Sequence, residues 1–181
     1  MPWQNTSQRW SQVFAGARAL ACVLSVGLAL GCSQTHFDGR SYRRGDMAFV
    51  LGDAPPGWRA IEVSDALLAF RDDAAHATVA VHGRCGKDGD DVPLESLTQH
   101  LFIHFTEREI VDQRRLPMDG REAMRSEMVA KLDGVSRGFV VYVLKKDGCV
   151  YDFLYIGEPA AMKSGAESFD RYVATFRTTQ H

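Results

Sequence analysis

The chain is 181 residues long, and 45% of its residues are apolar while 24% are charged. This composition is typical of a folded domain and excludes a disordered, highly charged segment. Residues 1–31 carry two basic and no acidic residues, so the remainder holds 19 basic and 23 acidic residues and has a net charge near −4. This weak negative charge excludes the basic excess of a nucleic-acid-binding domain, and we expect no nucleic-acid partner.

The first 31 residues have the pattern of an export signal. Arg9 and Arg18 precede an apolar run over residues 19–30, which is too short to span a bilayer stably. The run ends in Leu28-Ala-Leu-Gly-Cys32, which resembles the lipobox of bacterial lipoproteins. The resemblance implies a lipoprotein signal peptide over residues 1–31, with lipidation of the Cys32 thiol and cleavage before it. An ordinary secreted protein or a retained apolar helix are the alternatives.

The residues after the cleavage site predict a membrane-anchored location. In the sorting rule of enterobacterial lipoproteins, an Asp after the lipidated cysteine retains the protein in the inner membrane, and this chain has Ser33 there. We therefore expect the protein in the cell envelope, lipid-anchored on the periplasmic face of the outer membrane. Residues 32–46 are polar and predict a tether, which would span roughly 20 Å on average if flexible.

The first half of the folded region, which we expect to begin at Met47, alternates between short strands and turns. Strands are predicted over residues 47–51, 58–63, 66–70 and 77–85. Pro93 then favours a helix start. The apolar residues after it recur at helical spacing and predict a helix of about a dozen residues: Leu94, Leu97, Leu101 and Phe105.

The second half carries three Asp-Gly pairs spaced 14 residues apart, at Asp119, Asp133 and Asp147. Asp-Gly favours the two-residue turn of a hairpin, so these pairs predict a four-stranded antiparallel meander. Residues 139–144 and 150–156 are apolar at nearly every position, which indicates central strands covered on both faces. Apolar positions after Pro159 predict a second amphipathic helix that closes the domain: Met162, Ala166, Phe169, Val173 and Phe176.

The predicted fold class is α+β, with a mainly antiparallel sheet and two packing helices. Pro56-Gly57-Trp58, the hairpin entry at 118–123, the segment 149–155 and the last helix resemble PsbP-like domains over residues 47–178. The resemblance implies a PsbP-like α/β sandwich. That family comprises assembly and binding modules without a shared active site, and its functional residues are not recognisable here.

The cysteines predict one disulfide. Cys22 leaves with the signal peptide and Cys32 is the predicted lipid site, which leaves Cys85 and Cys149 in an exported chain. Two buried free thiols are the alternative. Neither cysteine belongs to a CxxC pair, and two thiols alone make at most half of a zinc site.

Other candidate sites are sparse. His100 and His104 stand four residues apart, the spacing of two zinc-binding histidines on a helix, and are the metal candidates. Leu101 stands where a zincin motif would have Glu, so we predict neither a metal nor another cofactor. No serine lies in a G-x-S-x-G motif, and a hydrolase is the remaining enzymatic alternative.

The sequence thus predicts a non-enzymatic lipoprotein that acts as a binding or assembly module for a protein partner. The alternative is a module that binds a small ligand or lipid in a cleft between sheet and helix. Tyrosines on the predicted strands, which are Tyr142, Tyr151 and Tyr155, would line such a groove or fill the core.

Overall fold

A computed structural model of the chain describes residues 35–86 and 92–179. The strands are β1 (His36–Phe37), β2 (Ser41–Arg44), β3 (Met47–Val50), β4 (Trp58–Ala60), β5 (Leu68–Asp72), β6 (Ala77–Cys85), β7 (Thr106–Met118), β8 (Arg121–Leu132), β9 (Val135–Lys146), β10 (Cys149–Gly157) and β11 (Arg177–Thr178). The helices are α1 (Leu94–His100) and α2 (Met162–Val173), and a 3-10 turn, Pro159–Ala161, precedes α2. The predicted fold class, α+β with mainly antiparallel strands and two helices, is confirmed.

The strands form two antiparallel sheets. The larger has the order β4-β5-β6-β10-β9-β8-β7, and the smaller has the order β1-β2-β3-β11. In the larger sheet β10 lies between β6 and β9, so the two halves of the chain join at the β6–β10 pair. Strands β4 and β7 are its two edges, six strand spacings apart.

The meander of β7 to β10 is present as predicted. Each of the three Asp-Gly pairs has positive φ at both residues, between +48° and +78°. These angles give a hairpin turn whose twist matches that of the flanking strands, and an Asn, Asp or Gly accepts them at low cost. The pairing runs in register from Ala123↔Leu144 to Leu132↔Val135 between β8 and β9.

The larger sheet is covered on both faces. One face of β9 contributes Val140, Tyr142 and Leu144 to a core that also contains the smaller sheet and α2. The opposite face contributes residues to a second core beneath α1: Phe139, Val141 and Val143. This alternation explains why the strand is apolar at nearly every position.

The predicted tether is wrong in part, because residues within 32–46 belong to the smaller sheet. Strand β2 pairs with β3, and Tyr42 is only 2% exposed. Its ring stacks on that of Phe49 with centroids 4.9 Å apart. Tyr42 is the single apolar residue of its strand, so the segment gives little hydrophobic pattern although it contributes an aromatic ring to the core.

The ends of several elements differ from their predicted positions. Strand β4 ends at Ala60 and not at residue 63, and α1 ends at His100. After α1 the amides of Leu101, Phe102 and Ile103 bond to carbonyls three residues back, so the chain tightens into turns and no longer follows α-helical geometry. Helix α2 ends at Val173, and neither helix of the described residues has the length and apolar character of a membrane span.

Candidate functional site

The disulfide is the one covalent feature that the sequence predicts within the described residues, and the structure joins Cys85 to Cys149. The two cysteines are directly opposite each other on β6 and β10, with Cα atoms 4.0 Å apart. The amide of Gly86 donates to the carbonyl of Gly148 at 3.1 Å just beyond them. The bond therefore fixes the strand pair at which the two halves of the larger sheet meet.

The histidine pair does not form the helical arrangement that its spacing suggests. His100 is the last residue of α1 and His104 lies in the turns after it, so the two are not on consecutive turns of one helix. Both side chains are exposed. Over residues 35–86 and 92–179, no three His, Cys, Asp or Glu side chains are grouped as they would be to hold a metal ion. Cys32, the predicted lipid site, lies outside the described residues.

The space between the larger sheet and α2 is narrow. A Cβ at Gly165 would lie 1.6 Å from the hydroxyl oxygen of Tyr155, so glycine is what allows α2 to approach this closely. That hydroxyl donates to the Asp72 carboxylate at 3.0 Å. Tyr151 and Tyr155 are fully buried core residues, so neither lines an open groove.

A buried ion pair ties α2 to the sheet beside this contact. Arg125 on β8 is only 5% exposed, and its Nε and Nη2 each donate to an Asp170 carboxylate oxygen at 3.1 Å. The Tyr142 hydroxyl donates to the same carboxylate at 2.8 Å. Burial and this hydrogen bond raise the pKa of Tyr142 well above its ordinary value, so the phenol stays protonated and acts as a donor.

A second polar group anchors the C-terminal strand. Asp119 lies in the first Asp-Gly turn and accepts from the Lys146 ammonium at 2.7 Å and from the Thr178 amide at 2.8 Å. Burial alone would raise the pKa of Asp119, but these donors outweigh it and hold that pKa below its ordinary value. The cavity between the two polar groups has a volume of only about 150 Å³. Their arrangement fits a structural role, because each donor is matched to a carboxylate.

The β7 edge of the larger sheet carries a different kind of surface, which we call the β7-edge surface. It consists of the edge strand, the exposed aliphatic side chains Ile103, Ile110 and Val111, and a hollow of about 280 Å³. The hollow is lined by side chains from α1, the turn after it, β7 and β8: Thr98, Gln99, Phe102, Arg108, Ile110, Gln113 and Met128.

Two properties make this surface available for contact. Ile103, Ile110 and Val111 are 61%, 53% and 58% exposed, which is high for aliphatic side chains. Strand β7 pairs with β8 on one side, and in the larger sheet no described strand follows it on the other. Among the described residues its backbone on that side pairs with no strand. Strand β7 is bulged, with register shifts between Thr106 and Glu109 and between Ile110 and Asp112, so its regular edge for an added strand runs from Asp112 to Met118. Sequence reasoning missed this surface because the edge position of β7 depends on the strand order.

The β4 edge carries a wider and more open groove of about 620 Å³, which we call the β4-edge groove. The groove is lined by Phe37 of the smaller sheet and by residues 60–64 and 66–70, which lie at the end of β4, in the loop after it and in the first part of β5. Phe37 and Val63 are both 39% exposed. The groove therefore presents apolar side chains to solvent at the edge opposite to β7.

Comparison with known proteins supports the fold. No protein-family model and no curated protein sequence matches the chain. The solution structure of CyanoP, the cyanobacterial PsbP of Synechocystis, is 14% identical, with 83% of this chain and 95% of that one covered and a TM-score of 0.52. LpqN of Mycobacterium tuberculosis, described as involved in cell envelope biogenesis, is 12% identical, with 80% and 88% covered and a TM-score of 0.53.

A third solved structure, from Bacteroides thetaiotaomicron, is 11% identical, with 80% of this chain and 50% of that one covered and a TM-score of 0.54. At sequence identities this low, the three comparisons show similarity of fold alone. The chain has a PsbP-like α+β fold, as the resemblance in its sequence implied.

Proposed function

We propose that this chain is a lipid-anchored protein of the bacterial cell envelope that binds a protein partner through its β7-edge surface and catalyses no reaction. The lipobox-like sequence ending at Cys32 supports the anchor, and the disulfide fits an oxidising compartment. The description of LpqN as a protein of cell envelope biogenesis is consistent with this location.

The β7-edge surface is the observation that carries the proposal. An extended segment of a partner would pair its backbone with β7 and place an apolar side chain in the hollow beside Phe102 and Met128. The charged residues of β7, such as Glu109 and Arg114, would make the rim of the contact. A binding edge of this kind needs no catalytic group.

The alternative of a ligand held between the larger sheet and α2 has weaker support. Gly165 brings α2 into contact with Tyr155, and the polar groups nearby are already matched to one another. The cavity of about 150 Å³ beside them is smaller than the usual range for small-molecule pockets, which begins near 300 Å³.

A photo-crosslinking residue introduced in place of Ile103 tests the partner directly in living cells. We expect a crosslinked product of defined mass, and we expect Ile110→Asp in the same chain to abolish it because a charge would enter the hollow. A crosslinker at Lys163, exposed on α2, is the matched control position. Crosslinked products of the same mass and yield at residues 103 and 163 would argue against the β7-edge surface as the binding site. A product that still forms in the Ile110→Asp chain would argue against it as well.

Mass spectrometry tests the anchor separately. The native protein should begin at Cys32 with acyl chains attached, and Cys32→Ser should leave an uncleaved or unanchored chain. An unmodified N-terminus at or beyond Cys32 would contradict the anchor without bearing on the partner.

A further inference from the structure

The β4-edge groove lies close in sequence to the predicted lipid. Phe37 is five residues after Cys32, and five residues of fully extended chain reach at most about 18 Å. In a lipoprotein cleaved before Cys32, Phe37 therefore stays within that distance of the acylated residue. The β7 edge lies six strand spacings further across the sheet, or about 29 Å.

The chemistry of the groove suits the boundary between lipid and water. Phe37 and Val63 present apolar surface to solvent from two separate parts of the chain. Transfer of aromatic and aliphatic side chains of this kind from water into the interfacial zone of a bilayer lowers the free energy.

The charges near the groove also favour a lipid surface. Arg44 of β2 is exposed and forms no ion pair with any of the described residues. It lines a neighbouring hollow that shares Leu67 with the groove. Arg43 pairs with His36 on the face of the smaller sheet opposite to Phe37, and Glu62 is an acidic side chain that lines the groove. An unpaired guanidinium group next to an apolar surface is complementary to an anionic lipid headgroup region.

We infer that the β4-edge groove is a membrane-docking surface, at which Phe37 and Val63 contact the bilayer that carries the Cys32 lipid while Arg44 lies beside anionic headgroups. The inference rests on the proposed lipid anchor. It assigns the anchor a second role, because docking would fix the orientation of the domain and direct the β7-edge surface away from the membrane.

Depth-dependent fluorescence quenching tests this inference on the mature lipidated protein. The protein is reconstituted in vesicles of phosphatidylethanolamine and phosphatidylglycerol, and Val63→Cys is labelled with bimane. Cys85 and Cys149 are joined in the disulfide, so the introduced thiol is the reactive one. Lipids with a doxyl group near the headgroup quench from the bilayer, and iodide quenches from water.

We expect the label at residue 63 to lose most of its fluorescence to doxyl lipid and little to iodide. The same label at Ile103→Cys, on the β7-edge surface, should show the reverse. Phe37→Asp in the chain labelled at residue 63 should remove most of the doxyl quenching, whereas Ile103→Asp should leave it unchanged. Replacing phosphatidylglycerol with phosphatidylcholine should weaken the quenching because the headgroup charge is lost.

Two results would overturn the inference. A label at residue 63 that iodide quenches fully would show an open groove, and one that resists both quenchers would show a groove filled by something other than the bilayer. Mass spectrometry of the same sample separates the two proposals. If Cys32 carries no lipid, the proposed anchor and the proposed docking are both refuted. If Cys32 is lipidated and doxyl lipid does not quench the label, only the docking is refuted.

Discussion

The two edges of the larger sheet differ in what they expose and in how they are built. The β4 edge is a strand of only three residues, and its groove takes residues from both sheets. The β7 edge is a strand of 13 residues with two register shifts, and it presents an unpaired backbone edge among the described strands together with exposed aliphatic side chains. In the proposed arrangement the width of one sheet separates two contacts, with lipid at the β4 edge and a protein partner at the β7 edge.

The disulfide gives the largest expected effect, because it links the half of the sheet that ends at β4 to the half that ends at β7. Replacing Cys85 and Cys149 together by Ala should lower the free energy of unfolding by about 4 kcal/mol, the loop-closure value for a sequence separation of 64. Urea unfolding measures this. Reduced wild-type protein is the control and should match the variant, whereas a loss below about 1 kcal/mol would show that strand pairing alone holds the halves together.

The buried Arg125 stabilises the β7 half through α2. Arg125→Met should cost about 3 kcal/mol, the lower end of the range for breaking a buried pair, because Asp170 is one-third exposed. Thermal or urea unfolding measures the loss. Arg114→Met is the matched control, since that side chain is exposed on β7 and should change stability by less than about 0.5 kcal/mol. Equal losses would mean that the Asp170 contact contributes nothing specific.

Asp119 should give a smaller and pH-dependent effect. Asp119→Asn removes a charge that accepts from Lys146 and Thr178, with an expected cost of about 2 kcal/mol at neutral pH. Because folding lowers the pKa of this carboxyl, its stabilisation is present above the ordinary value of 3.8 and is lost as the pH falls through the folded pKa. Unfolding curves of both chains should therefore converge in acid, and a difference that grows in acid would contradict the assignment.

The exposed apolar residues at the two edges should have the smallest effects on stability. Ile110→Asp and Phe37→Asp should each change the free energy of unfolding by no more than about 0.5 kcal/mol. Their functional effects should differ, with Ile110→Asp losing the partner and Phe37→Asp losing the bilayer contact. Crosslinking at residue 103 and vesicle quenching of the label at residue 63 measure this in both variants. Loss of both the partner contact and the bilayer contact in either variant would contradict the assignment of separate contacts to the two edges.

Much of the fold could be predicted from the sequence because its strongest signals are local. The Asp-Gly turns specify three hairpins within a few residues each, and residues 139–144 indicate a strand buried on both faces. The β1–β2 segment was missed because Tyr42 gains its burial only when the smaller sheet packs on the larger one. The expectation that His100 and His104 lie on one helix was wrong, because the backbone hydrogen bonds directly after α1 run to carbonyls three residues back and end the α-helix at His100.

Neither edge surface could be predicted in the same way. Both depend on β10 pairing with β6, a contact between residues more than sixty positions apart that no local pattern encodes. The groove further combines Phe37 with Val63 across two sheets, so its lining exists only in the assembled domain.

Energy transfer from the protein to the bilayer tests the central claim most directly. A donor dye on Val63→Cys or on Ile103→Cys of the lipidated protein is paired with acceptor lipids in the vesicle surface. The account predicts that the donor at residue 63 lies at the bilayer and that the donor at residue 103 lies further out by up to about 29 Å, the width of the larger sheet. Equal distances for the two donors would contradict the claim that one edge faces the membrane and the other faces a partner.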